Sequence, residues 1–178
     1  LEEAETYHRR VIKDLRRVLG NDHPTTLGMI GNMGRLLRAQ GKLAEAEKYV
    51  REALGGLRRV RGNDHLNDHI NMLAAISNLG GLLSAQGKFV EAELYYREAL
   101  EELRRLLGND HSNTLTSIYN LGSFLQEQGK LEEAETLAQE LISERLVTNP
   151  WHIRGKKLLD DIAKAREASN KQDPKKDG

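Results

Sequence analysis

His65 and His69 stand four residues apart, and each follows an aspartate, Asp64 or Asp68. On a helix that spacing sets two imidazoles on one face, a workable pair of zinc ligands. Gly62-Asn63 marks a turn at this point, however, and the stretch reads as a duplicated Asn-Asp-His, so no metal is expected. His23, His69 and His111 lie about one repeat apart and cannot meet at one ion; turn packing or capping is their expected role. Ser, His and Asp all occur, but nothing places a nucleophile beside a base. The glycines read as helix stops and close-packing positions, not as a phosphate cradle. The chain has no cysteine, which removes disulfides, thiolate metal sites and cysteine nucleophiles. No enzyme activity and no cofactor are therefore expected.

The arginine pairs Arg16-Arg17, Arg58-Arg59 and Arg104-Arg105 could align as a basic stripe for phosphate. Asp14, Glu101 and Glu102 interleave them, so a solvated face with i,i+4 pairs is the expected reading. Lys plus Arg is 27 and Asp plus Glu is 27, a balance that argues against a nucleic-acid partner. No apolar run approaches the roughly 18 residues of a membrane span.

What positions these residues is a repeat. Asn21-Asp22-His23 recurs at Asn67-Asp68-His69 and Asn109-Asp110-His111. Asn32-Met33-Gly34 recurs at Asn78-Leu79-Gly80 and Asn120-Leu121-Gly122, and Gln40-Gly41-Lys42 at Gln86-Gly87-Lys88 and Gln128-Gly129-Lys130. Glu3-Ala4-Glu5 recurs at Glu45, Glu91 and Glu133, with offsets of 42, 46 and 42 residues. The extra four residues are an insertion, Leu66 to His69 or the four before them, which copies Asn-Asp-His a second time at Asn63-Asp64-His65.

Each unit holds two helical stripes and no run of period two, so strands are not expected. Leu27, Ile30, Gly34 and Leu37 form one stripe, closed by Gly41. Leu43, Ala46, Val50, Ala53, Leu54 and Leu57 form the other, closed by Gly62. The acidic residue of the turn, with Thr25, Asn71 or Asn113 nearby, is the expected N-cap. Gly34, Gly80 and Gly122 face Ala46, Ala92 and Ala134 at matched places, which implies backbones in close approach. Hydrophobic residues are 38% and charged residues 30%, polar for a globule but suited to stacked repeats that bury less of themselves.

At these residues the chain resembles the tetratricopeptide repeat (TPR) family. The motif reads Met33-Gly34, Leu37, Gly41, Leu43, Ala46, Val50, Ala53, then Leu79-Gly80, Leu83, Gly87, Phe89, Ala92, Tyr96, Ala99. The third copy reads Leu121-Gly122, Leu125, Gly129, Leu131, Ala134, Ala138, with Leu141 where alanine is usual. The long period and the Gln-Gly-Lys run resemble the kinesin-light-chain subclass. The resemblance implies an all-α, right-handed α-α superhelix, a TPR solenoid over residues 1–170. Its expected parts are an orphan second helix (1–19), helix pairs (20–61, 62–107, 108–148) and a capping helix (149–169), with a disordered tail (171–178). In the cap, Trp151, Gly155 and Leu158 hold motif positions, but Arg154 stands where leucine is expected. The chain reads as a fragment of a larger protein, and a cytoplasmic setting is the expectation.

The resemblance also implies a binding face lined by the first helix of each pair, and with it a scaffold that holds a protein or extended peptide. Carried over by position, that face holds Asn32, Arg35, Arg38, Ser77, Asn78, Gly81, Ser84, Tyr119, Asn120, Ser123, Gln126 and Glu127. The asparagine amides could pair with a peptide backbone of any sequence, or could instead bond a neighbouring repeat's backbone. Arg35 and Arg38, one turn apart, could fork a carboxylate. Gly81, Ser84 and Ala85 are expected to leave the middle of the groove open. The alternative is self-assembly into a homo-oligomer through the apolar side of the orphan first helix.

Overall fold

The computed structural model describes residues 2–60, 66–142 and 150–172. Among them every regular element is a helix: α1 (Glu2–Leu19), α2 (Pro24–Ala39), α3 (Leu43–Arg59), α4 (Leu66–Ala85), α5 (Phe89–Leu107), α6 (Ser112–Glu127), α7 (Leu131–Leu141) and α8 (Pro150–Gln172). The fold class is all-α, built of successive packed helices. The chain falls into two compact units, Leu1–Ala99 and Leu100–Gly178. In the first, α1 packs on α2, α2 on α3 and α3 on α4. In the second, α7 packs on both α6 and α8, and α6 also meets α8.

The expected stripes are the core. Leu27, Ile30, Leu37, Ala46, Val50, Ala53 and Leu54 are buried, while Leu43 and Leu57 are half-buried. Close approach at glycine is real. A Cβ on Gly80 would stand 3.2 Å from the Ala92 carbonyl oxygen and 3.2 Å from Tyr96 Cγ. One on Gly155 would stand 2.7 Å from Leu141 Cβ and 3.0 Å from the Ala138 carbonyl oxygen.

The Gln-Gly-Lys turn ends α2 with Gly41 at φ 76°, left-handed backbone that glycine adopts without a Cβ clash. Lys42 N–H then donates to Leu37 O at 2.9 Å and Gly41 N–H to Arg38 O at 2.9 Å, a Schellman closure. The same pair of bonds recurs at Gly87-Lys88 and Gly129-Lys130. The expected stop at Gly62 lies outside the described residues, and α3 ends at Arg59.

Of the residues expected to cap, two of the histidines do so and the acidic residue of the first turn does not. His23 and His111 cap α2 and α6: each Nδ1 accepts a backbone N–H, from Thr25 at 3.2 Å and from Asn113 at 3.1 Å. Thr25 and Asn113 are thus donors to the cap, not caps themselves. An imidazole accepts only through an unprotonated nitrogen, so the ring proton of each cap sits on Nε2. Asp22 turns instead to Arg59, whose Nη2 donates to its Oδ1 at 2.6 Å and holds its carboxyl below the usual range. His23→Ala is expected to cost about 1 kcal/mol, and His23→Asn to restore most of it, in urea denaturation. Equal midpoints for the alanine variant and the parent would contradict the cap.

The insertion is taken up as helix. α4 runs 20 residues where α2 and α6 run 16, and it begins at Leu66, directly after the first Asn-Asp-His copy. Four residues are close to one helical turn, so the face downstream keeps its register. Asn71 and His69 therefore lie within the helix and cap nothing. Asp64 and His65 of the weighed metal pair fall outside the described residues. Residues 171–172, expected in the tail, continue α8.

Candidate functional site

In the first unit, the face of the first helices gathers part of the expected set. Arg35, Arg38 and Asn78 line a pocket of about 340 Å³ floored by Gly34, Val50 and Leu82. Arg35 Nη2 donates to Asn32 Oδ1 at 2.6 Å, so Asn32 fixes an arginine one turn on. Asn78 is exposed at the rim, and Ser77 and Ser84 are half-buried. Gly81 is not open groove: it is buried. A Cβ there would stand 3.0 Å from both Arg38 Nη1 and the Tyr96 hydroxyl, so the arginine reaches from α2 over α4.

In the second unit, Tyr119, Asn120, Ser123 and Gln126 are half-buried and Glu127 is exposed. Tyr119 meets Trp151 of α8 with ring centroids 6.0 Å apart. The Arg154 guanidinium lies 4.4 Å from the Trp151 centroid and 5.7 Å from that of Tyr119. Position-by-position transfer missed Trp151 and Arg154. The available signal was the arginine at a leucine position, three residues after a tryptophan and thus one turn away.

The arginines of the second helices behave differently from those of the first. Arg9 reaches Glu45 at 2.5 Å and Arg51 reaches Glu91 at 2.6 Å; Arg16 meets Glu52, Arg58 meets Glu98 and Arg104 meets Glu140. These pairs join successive second helices, where pairs within one helix were expected. Within-helix pairs also occur, as Arg9–Glu5, Arg51–Glu47 and Arg105–Glu102. On α8, Arg166 belongs to a contact with Glu135 of α7 at 2.7 Å, not to a free polar face. Each matched guanidinium is occupied, which leaves little for phosphate. Arg35 and Arg38 are the contrast: among the described residues, neither has a carboxylate within ion-pairing distance.

The recurring motifs now have a physical reason. Glu5 takes Lys42 at 2.7 Å, and Glu47 takes Lys88 at 2.9 Å, so the last glutamate of each of the first two Glu-Ala-Glu copies holds the lysine of the next Gln-Gly-Lys. Hydrogen bonds from Lys42 and then Arg9 lower the Glu5 pKa from 4.5 to about 2. Burial pushes Glu47 up, but hydrogen bonds from Arg51 and Lys88 outweigh it and bring the value to about 2. Both folded pKa values are depressed. The stability these carboxylates contribute is therefore full above the ordinary value near 4.5 and is lost as pH falls from there toward 2. The drop in denaturation midpoint between pH 5 and pH 3 should shrink in a Glu5→Gln/Glu47→Gln variant. An unchanged drop would contradict the assignment.

Among the described residues, no helix is long and apolar enough to cross a membrane.

No curated protein matches the chain. A family model described as tetratricopeptide repeat matches residues 1–59 and 71–143. The gap between them contains the duplicated Asn-Asp-His stretch. Among solved structures, a candidate kinesin light chain from Podosopora anserina, with nearly identical TPR-like repeats, aligns with a TM-score of 0.78 at 19% identity. That alignment covers 96% of this chain and 80% of the other. A second crystal structure described in the same terms gives a TM-score of 0.77 at 19% identity, covering 96% and 81%. At this identity the likeness is one of fold.

Proposed function

Because the chain belongs to the tetratricopeptide repeat family, a fold that generally serves as a protein-interaction scaffold, we propose that it binds an extended peptide segment along the face of its first helices, with an acidic side chain seated between Arg35 and Arg38. The observation that carries this reading is the pairing state of the arginines. Most of those on the second helices, Arg10 excepted, are matched to carboxylates, whereas Arg35 and Arg38 open on a pocket with no such partner among the described residues. A guanidinium on a surface is satisfied by water, yet its planar fork suits a carboxylate brought by a ligand. Asn78 at the pocket rim offers both a donor and an acceptor to the ligand backbone. Val50 and Leu82 supply an apolar floor for the residue beside the acid.

In the second unit, Tyr119, Trp151 and Arg154 form the corresponding aromatic and cationic surface. The function is recognition, and no chemical step is assigned to any residue. Titration of labelled extended peptides that differ only by Glu or Gln at one position tests the reading. The glutamate peptide should bind more tightly, and the difference should vanish on the Arg35→Gln/Arg38→Gln protein. A difference that persists on that variant would place the acid elsewhere.

A further inference from the structure

α4 carries two glycines in succession, and they serve different neighbours. Gly80 meets the backbone of α5, as the 3.2 Å from its would-be Cβ to the Ala92 carbonyl oxygen shows. Gly81 meets side chains. The three atoms nearest a Cβ there are Arg38 Nη1 and the Tyr96 hydroxyl oxygen, each at 3.0 Å, and Arg38 Cζ at 3.5 Å. This second glycine is particular to α4. The residues that follow Gly34 and Gly122 at the matching places are Arg35 and Ser123.

Helix packing does not account for Gly81. Glycine is the weakest helix former after proline. An alanine there could be fitted by moving the far end of Arg38, an exposed side chain on a flexible stem. What the missing Cβ provides is a resting place. The Arg38 guanidinium crosses from α2, lies against the bare backbone of α4 with the Tyr96 hydroxyl on the same spot, and still lines the pocket with Arg35 and Asn78. Tyr96 is 9% exposed, so its hydroxyl forms a fixed wall of the seat. A long side chain already held in one place loses less freedom when a ligand arrives, which strengthens the bond it makes.

We propose that Gly81 is a positioning residue for the acid of the ligand: its bare Cα seats Arg38, so that the guanidinium stands at the pocket wall before the carboxylate arrives. The inference rests on the reading of Arg35 and Arg38 as the acid-binding pair. A methyl group at position 81 takes the seat and pushes the guanidinium off α4. Arg35, held by Asn32, stays where it is. Gly81 acts only through Arg38.

The test is a double-mutant cycle on the full chain, read on the preference for the glutamate peptide over its glutamine twin. Gly81→Ala should cut that preference by about threefold, part of the tenfold or more that a charge-assisted bond carries. In an Arg38→Gln background the same change should leave the preference unmoved, because the group it displaces is gone. The urea midpoint of Gly81→Ala should equal or exceed the parent's, since alanine favours the helix. A Gly81→Ala protein with the parent's full preference, or a cut of equal size in both backgrounds, would overturn the proposal. So would a lowered midpoint that Arg38→Gln does not restore, because packing against Tyr96 would then be what the glycine serves. A parent with no preference for glutamate removes the acid-binding reading and this inference with it. A preference lost on Arg35→Gln/Arg38→Gln but untouched by Gly81→Ala removes this inference alone.

Discussion

Gly80→Leu lowers stability by about 1–3 kcal/mol, the usual cost of overpacking a filled interface. The cause is the 3.2 Å that a Cβ would keep from the Ala92 carbonyl oxygen, backbone that cannot rotate away. Leucine would otherwise favour the helix over glycine by nearly 1 kcal/mol, so a net loss requires the contact to outweigh propensity. Gly31 provides the control. It too lies in a first helix, but a Cβ there meets nothing within 4 Å. Gly31→Ala should therefore stabilise by about 0.4–1 kcal/mol. Urea denaturation of the two variants should move in opposite directions. A Gly80→Leu midpoint equal to the parent's would contradict the close approach of α4 and α5.

The second large effect falls on binding. Arg35→Glu/Arg38→Glu should weaken an acidic peptide ligand by about tenfold or more, since each lost charge-assisted bond is worth roughly 1.5–3 kcal/mol. Folding should be nearly unchanged. Both side chains are exposed, and among the described residues the side-chain hydrogen bond of the pair runs from Arg35 to Asn32 on the same helix. Arg9→Glu/Arg51→Glu should do the reverse. It breaks the contacts to Glu45 and Glu91 that join successive second helices, and it leaves the ligand pocket untouched. Loss of peptide binding in the second variant at full stability would reassign the site.

Periodicity made the helices legible. Leu27, Ile30 and Leu37 sit at helical spacing and are buried, and the recurrence of Gly41 and Gly87 marked the stops that the left-handed backbone requires. Other features had no local signal. A histidine caps through one nitrogen in one tautomer, so His23 and His111 could be given a capping role but the neighbouring Thr25 and Asn113 attracted the assignment. The pairs Arg9–Glu45 and Arg51–Glu91 span 36 and 40 residues, a separation at which sequence alone favours the nearer i,i+4 glutamate. The insertion could be counted from the sequence, but only the helix bounds show that it adds a turn to α4. Of the candidate site, Arg35, Arg38 and Asn78 were legible because they follow a repeating Asn-X-Gly frame. Gly81 read as open space because nothing in the sequence shows that Arg38 lies across it. Arg154 read as a defect in the cap, since a cation stacked on Trp151 looks, one residue at a time, like a missing leucine.

The central claim is that the face of the first helices recognises an extended acidic peptide. Its most direct test is selection of a displayed random-peptide library on the full chain, run beside a folded Arg35→Glu/Asn78→Ala variant. Enriched peptides should share an acidic position and lose binding to the variant. Enriched peptides without a shared acid, or with equal binding to both proteins, would contradict it.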